Sequence, residues 1–405
     1  MSSPFSNKAY RLLWSAGLVA HMTMWMNDVG AAWTMAAMSA SVFLIALVQT
    51  ASTLPTFAFG LVFGAVGDRS NRRRFFIFTQ WWGAGVAGLF VLGHLLGLLG
   101  PEAILLLVLA NGFGLAMRLP VYSALLPMVV SRDQLRPAVA LGSVAANAAR
   151  IVGPLIAGML LAMAGPLAVY LVNLILCALS AVMLMRWRPD APEPVRAPTR
   201  LWESMAEGLR FIRASAMMRL VLGRSAVFFT QGVAVIALTP VIARELPGAG
   251  PAGYGMLLAG MGIGAVFSAF TITRLSRYLG VQNMLRTGRV INALGILIVA
   301  LAPGLWMAVP GMFVAGYGWV ATGNTTSAIL QLRLPDAVRA RCMSVYQMVV
   351  MGSCAVGAAV WGQIVSWLGL HEGMLLSVLV TAVLFLFTHR FVLPPAGGAA
   401  PGRAG

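Results

Sequence analysis

The sequence predicts an all-α membrane protein of twelve transmembrane helices in two pseudo-symmetric six-helix bundles. Three observations predict it. Of 405 residues, 60% are hydrophobic and only 10% charged, where a soluble protein carries roughly 25% charge. Apolar runs of 18 or more residues follow one another along the chain, each long enough to cross about 30 Å of hydrocarbon as a helix. Six runs precede one long polar stretch and six follow it, and glycines recur across the two sets at a single spacing.

The runs lie at 12–36, 42–66, 75–99, 102–127, 138–163, 166–186, 219–243, 252–274, 284–303, 306–329, 341–365 and 370–391. Helices are expected because lipid offers no partner to an open backbone N–H or C=O, and the alternation of a membrane barrel is absent. Residues 1–11 are polar, and the first run is too long and too interrupted by polar residues for a cleaved signal peptide. The expected organisation is a bundle over 1–187, a cytoplasmic linker over 188–218, a second bundle over 219–393 and a disordered tail over 394–405. The linker opens with the Pro-rich RWRPDAPEPVRAPTR. It continues with LWESMAEGLRFIR, whose Leu201, Trp202, Met205, Leu209 and Ile212 suit a helix lying on the membrane surface.

The net charge of +17 could suggest nucleic acid. With the N-terminus inside, however, 24 of the 28 lysines and arginines fall on the inner side and the outer loops keep only Arg244. That asymmetry reads as topology, with both termini cytoplasmic, and no nucleic-acid partner is expected. Cys177, Cys342 and Cys354 show no ligand spacing and read as small apolar fillers.

A shift of 204 residues superposes Gly112 and Gly114 on Gly316 and Gly318, Gly153 on Gly357, Gly158 on Gly362, and Gly165 on Gly369. Small residues in membrane helices mark close backbone approach. Two copies of one six-helix unit is a transporter design, with a mid-membrane site between halves that rock about it.

Ten of the eleven acidic residues fall in loops or at the ends of runs; Asp28 alone sits well inside one. A charge at mid-membrane costs roughly 2.5–3.5 kcal/mol on insertion scales and marks function by default. A carboxylate pulled one way by burial and the other by an arginine can bind and release a proton as its cavity opens to each side. A structural ion pair of fixed protonation is the competing reading. Arg118 and Arg150 are also within runs. Either could pair with Asp28, and the residue composition leaves that choice open. Asn111 and Tyr122 share the face of Arg118, and His21 and Trp25 that of Asp28. With Gln49, Asn147, Gln231, Asn324 and Gln347 they are the expected substrate cavity.

Between the second and third runs lies GAVGDRSNRR, Gly64 to Arg73. It resembles motif A of the major facilitator superfamily, with Asn71 where a glycine is usual; asparagine tolerates a left-handed turn better than most residues. The resemblance implies a conformational latch at Gly64, Asp68, Arg69, Arg72 and Arg73, against the simpler reading that the arginines only set topology. The second-half counterpart, TRLSRYLGVQN, has lost the aspartate. LPMVVSRDQLRPAVALGSVAANAARIVGPLIAG, EGLRFIRASAMMRLVL and NTTSAILQLRLPDAVRARCMSVYQMVVMG are similar to one branch, the transmembrane secretion effectors, which includes siderophore and macrolide exporters. Arg118 then matches the intramembrane arginine of motif B, which the resemblance associates with proton coupling. ARIVGPLIAG resembles the antiporter-type motif C through Gly153, Pro154 and Gly158.

The expectation is a secondary active transporter: a proton-coupled antiporter exporting a small organic molecule, with Asp28, Arg118 and Arg150 as its coupling residues. The resemblance implies a bacterial inner membrane. Partners are the substrate, protons and the bilayer, with a monomeric chain; no cofactor or metal is expected. Uptake by the same fold is the alternative, and a non-transporting sensor a further one. An enzyme is not expected, since no nucleophile–base set or metal cluster stands within the runs.

Overall fold

The structure, a computed structural model, describes residues 4–38, 41–131, 133–187 and 210–388, without the side-chain surroundings of 65, 67–69, 119, 273, 336–337 and 340. The linker up to 209 and the tail from 389 therefore lie outside the described residues.

Polar residues at the head of each apolar run start the helices. Asn7 caps α1 (Lys8–Ala37) by accepting from Ala9 N at 2.8 Å, and Ser41 caps α2 (Val42–Arg69) by accepting from Leu44 N. Such caps satisfy one of the orphan N–H groups of a helix start. α3 (Arg72–Leu95) is capped by Asn71, which accepts from Arg74 N at 2.9 Å with φ −62°. The left-handed turn expected at Asn71 is thus replaced by an N-cap, because its side-chain oxygen satisfies the helix start instead. α4 (Pro101–Val129) begins on a proline, whose missing N–H costs nothing at that position. The segment Leu135–Arg186 breaks at Gly165 (φ 74°, ψ −175°) into α5 (135–164) and α6 (166–186). Then follow α7 (Ala216–Glu245), α8 (Gly250–Leu279), α9 (Val281–Ala300), α10 (Leu305–Arg333), α11 (Asp336–Leu368) and α12 (Leu370–Thr388).

By length and composition, nine of the continuous helices among the described residues could cross a membrane. The joined α5–α6 counts once among them, and α1 and α9 fall short. The physical cause is polar content: α1 holds Lys8, Arg11, His21, Asn27 and Asp28, and α9 holds Arg286, Arg289 and Asn292 within 20 residues.

The glycine repeat is a repeat of contacts. A Cβ at Gly112 would stand 2.7 Å from Ser52 O of α2; one at Gly316 would strike Met261 O of α8. Gly153 abuts Met22 and Trp25 of α1, and Gly357 abuts Thr230 and Val233 of α7. Gly158 meets Pro251 and Gly255 of α8, and Gly362 meets Phe43 and Ala46 of α2. Gly165 and Gly369 both hold positive φ between their helices. Each glycine therefore serves the same purpose against the equivalent helix. The contacts also show that the register differs early in each half. α1 and α7 are both 30 residues long and start 208 positions apart, whereas α4 and α10, both of 29, start 204 apart.

Among the described residues the apolar packing that joins the two halves is concentrated towards one end. One apolar cluster draws on both, through Met26–Ala36, Ile45–Ala51, Val235–Ala243 and Tyr254–Met261. All of these belong to the end remote from the start of α1 and the finish of α12, here the far end. At the terminal end the apolar clusters are separate. One holds Tyr10, Phe76, Leu125 and Leu184 of the first half, the other Met218, Phe229, Leu330 and Tyr346 of the second. Across the far-end contact Thr50 Oγ1 donates to Ala355 O at 2.7 Å and Arg244 Nη1 to Ala36 O at 3.2 Å. Among the described residues, apolar packing seals the halves at the far end and does not join them at the terminal end.

Candidate functional site

Asp28 sits about two thirds of the way along α1, under the far-end seal. It shares a recess of about 30 Å³ with Trp25 and Gln49 of the first half and Ile236, Pro240 and Tyr254 of the second. That is room enough for a water molecule. Ser52 Oγ of α2 lies 3.2 and 3.3 Å from the two carboxylate oxygens and donates to them. These distances exceed the usual 2.5–3.0 Å of an O–H···O bond. Among the described residues no cation forms an ion pair with Asp28; Arg118 acts on it electrostatically from further away. Of the two arginines the composition left open, Arg118 is thus the one within reach. Arg150 instead stacks its guanidinium over Trp25, 5.8 Å from the ring centroid, with its buried Nε unpaired. A desolvated cation–π contact is worth up to about 2 kcal/mol.

A larger recess of about 430 Å³ opens in the first half, among α1, α4 and α5, with Phe76 of α3 at its wall. His21, Arg118 and Tyr122 line it together with Ser123 and Ser143. His21 Nδ1 donates to Gly17 O at 2.7 Å, which leaves Nε2 for a ligand. The charges of Arg118 and Arg150 both reach His21. The His21 and Tyr122 rings lie edge to face, centroids 6.5 Å apart. Gly17 is required here, since a Cβ would stand 2.6 Å from the Tyr122 ring.

The remaining expected cavity residues do not converge. Asn147 turns back on its own helix, donating to Ser143 O at 2.9 Å. Asn111 is half-buried on α4, while Asn324 and Gln347 are exposed on α10 and α11; none of the three lines either recess. Gln231 requires a correction. It lies in a cleft of α7, α9 and α12, because the packing of α7 turns it away from the first half. Arg289 is buried inside α9 and Arg224 on α7. Ser52, Tyr254 and Gly17 were also missed. An i−4 glycine before His21 was the one visible signal; the contacts of Ser52 and Tyr254 arise only from other helices.

In the motif A segment, Arg73 Nη2 donates to Leu184 O and Met185 O at 3.2 and 2.8 Å, capping the C-terminal end of α6. Arg72 is buried and reaches Ala124 O of α4 at 3.4 Å. Gly64 packs loosely near Pro120; the side chains of Asp68 and Arg69 lie outside the description. In motif C, Gly153 lets α5 close on α1, and Gly158 and Pro154 press on Gly255 of α8. Pro154 has no N–H for the Arg150 carbonyl.

The chain matches the family described as transmembrane secretion effector over residues 1–401. It is 26% identical over 379 residues to the enterobactin exporter EntS of Shigella boydii serotype 4 (strain Sb227), covering 88% of this chain and 85% of that protein. The enterobactin exporter EntS of Escherichia coli O127:H6 (strain E2348/69 / EPEC) is 25% identical over the same shares. Among solved structures, the nucleoside transporter NupG superposes with a TM-score of 0.75 at 14% identity, over 95% of this chain and 100% of that one. A bacterial homologue of the iron transporter ferroportin, in an inward-facing state, superposes with 0.73 at 16% identity, over 95% and 99%.

Proposed function

Because this chain belongs to the transmembrane secretion effector family, a group of secondary transporters of the major facilitator type and not of enzymes, we propose that it exports a mid-sized organic anion in exchange for protons. The observation that carries the proposal is Asp28: a buried carboxylate where both halves meet, hydrogen-bonded to Ser52 alone among the described residues. A carboxylate offers about four acceptor sites. One long hydroxyl contact fills little of that capacity and leaves the rest to water or a proton. When the far end opens, the walls from α7 and α8 move away and Asp28 meets the other solvent. Alternating exposure of this group couples proton movement to rocking.

The 430 Å³ recess would hold the cargo. Arg118 in its wall cannot discharge, and His21 and Tyr122 add ring faces and a free imidazole nitrogen. An anionic, ring-bearing molecule answers that lining, and the likeness to enterobactin exporters supports the export direction. The first bundle, over 1–187, is then the binding half. Motif A with Asp68 and Arg69 would latch the terminal end in the alternate state, through the Arg72 and Arg73 contacts. We place the protein in a bacterial inner membrane with both termini cytoplasmic, since the basic residues gather at the terminal end; the state described is then inward-open.

Everted vesicles test direction and coupling together. Energised accumulation of an anionic aromatic cargo inside them supports export, and accumulation in right-side-out vesicles would establish uptake instead. In proteoliposomes Asp28→Asn should abolish pH-gradient-driven flux while the protein remains inserted. Full retention of that flux would defeat the assignment.

A further inference from the structure

The two recesses lie one above the other along a single stripe of α1. Ala20, His21 and Met24 line the cargo recess, and Trp25, Asp28 and Ala32 line the recess of the acid. These positions follow one another at helical spacing, so His21 and Asp28 stand about 10 Å apart along the axis. The recesses have no lining residue in common. One gives way to the other at the turn of Met24 and Trp25.

Trp25 is held from two directions at that turn. A Cβ at Gly153 would stand 3.0 Å from Trp25 Cβ, so the α5 backbone lies against the root of the side chain. Three residues earlier on the same face of α5, Arg150 lays its guanidinium over the indole, 5.8 Å from the ring centroid. Among the described side chains none of opposite charge acts on Arg150, and its buried Nε has no acceptor. A cation without an ion pair keeps the π face of the ring as its electrostatic partner. The same charge reaches His21 in the cargo recess. One guanidinium thus answers to both recesses.

We propose that the indole of Trp25, clamped by Arg150, is the partition that keeps Asp28 from the water of the cargo recess, which makes both of them positioning residues for the proton step. The proposal rests on the reading of Asp28 as the coupling acid. While the guanidinium lies on the ring, the acid keeps its small recess beneath the far-end seal. An organic anion at His21 and Arg118 competes with the ring for the Arg150 cation. As Arg150 leaves, the indole is freed to turn and Asp28 meets terminal-side water. Cargo occupancy and proton release are then joined through two side chains, without contact between cargo and acid.

The test uses the full chain in nanodiscs with Cys177, Cys342 and Cys354 replaced by alanine. Gln49→Cys is the reporter, because Gln49 lines the recess of Asp28. The probe is 2-hydroxyethyl methanethiosulfonate, which is small and uncharged. Arg150→Met reproduces the departure of the cation without a cargo, and Trp25→Leu removes the partition itself. Each should raise the modification rate roughly tenfold or more. Arg150→Lys and Trp25→Phe keep a cation on an aromatic face and should stay within roughly threefold of the parent. A second reporter, Val235→Cys, sits in the apolar cluster that joins the halves and should keep its rate throughout. Should Trp25→Leu not insert, Arg150→Met carries the test. An unchanged Gln49→Cys rate in Arg150→Met would overturn the clamp. Equal rates in Arg150→Lys and Arg150→Met would do the same. A rise at both reporters would show a loosened bundle and overturn the partition. Neither cargo nor a pH gradient is present, so failure here and failure of the Asp28 flux assignment are told apart.

Discussion

The two halves share a frame and differ in chemistry. Glycines at matching positions press matching helices together, from Gly112 and Gly316 to Gly158 and Gly362. The charged positions do not repeat. At the 208-residue register of α1 and α7, Asp28 corresponds to Ile236 and His21 to Phe229; at the 204-residue register of α4 and α5, Arg118 corresponds to Thr322 and Arg150 to Cys354. Arg224 in turn stands opposite Ala16. The turns between second and third helices differ too: Gly280 adopts φ 75°, while Ser70 and Asn71 stay at negative φ. The lesson is that close helix packing, needed wherever helices cross, is preserved in both copies. A buried charge costs several kcal/mol unless it works, so each is kept in one copy only.

This comparison can be broken most directly by moving the acid. The double substitution Asp28→Ile with Ile236→Asp keeps composition and transfers the carboxylate to the opposite wall of the same recess, on the other half. We expect proton-driven flux in proteoliposomes to stay at the empty-vesicle background, as in Asp28→Asn. Recovery of even a tenth of wild-type flux would mean that the halves are chemically interchangeable.

The shared frame makes the opposite claim, that two glycines are equivalent. Gly158→Leu and Gly362→Leu each drive a side chain into the facing half, at Pro251 and at Ala46. Overpacking of this kind costs about 1–3 kcal/mol. Both should raise the labelling rate of a far-end cysteine reporter on the order of tenfold. A strong effect from one and none from the other would show that the seal is lopsided.

Arg118→Thr and Thr322→Arg sharpen the contrast between the recesses. The first should weaken binding of an anionic aromatic cargo by roughly tenfold, about the value of one charge-assisted hydrogen bond; the second should leave affinity low when combined with it. Equilibrium binding in detergent reads both. The smallest effect is expected at the helix joint beside motif A. Arg73→Gln removes the guanidinium from the Leu184 and Met185 carbonyls, a helix-end contact worth about 0.3–1 kcal/mol. Its Tm should fall by only about 1–4 °C.

Hydropathy, charge asymmetry and glycine spacing made the membrane class, the two-part organisation and the isolated acid legible from the residues alone. Each of these is a partition or counting property: a run is apolar, or an aspartate is surrounded by fat, whatever lies beside it. Even the Gly158 contact was foreshadowed, since a small residue in a span has few other uses. Tertiary structure decided the rest. It brought Arg118 rather than Arg150 within electrostatic reach of Asp28, supplied Ser52 as its donor, and turned Gln231 into a cleft with Arg224, Arg289 and α12. It also buried Arg289 and packed the halves together towards one end. These outcomes depend on how each helix is rotated about its axis, and that rotation is set by side chains far away in the chain. No local pattern carries that information, because a membrane helix meets apolar surroundings on most of its faces.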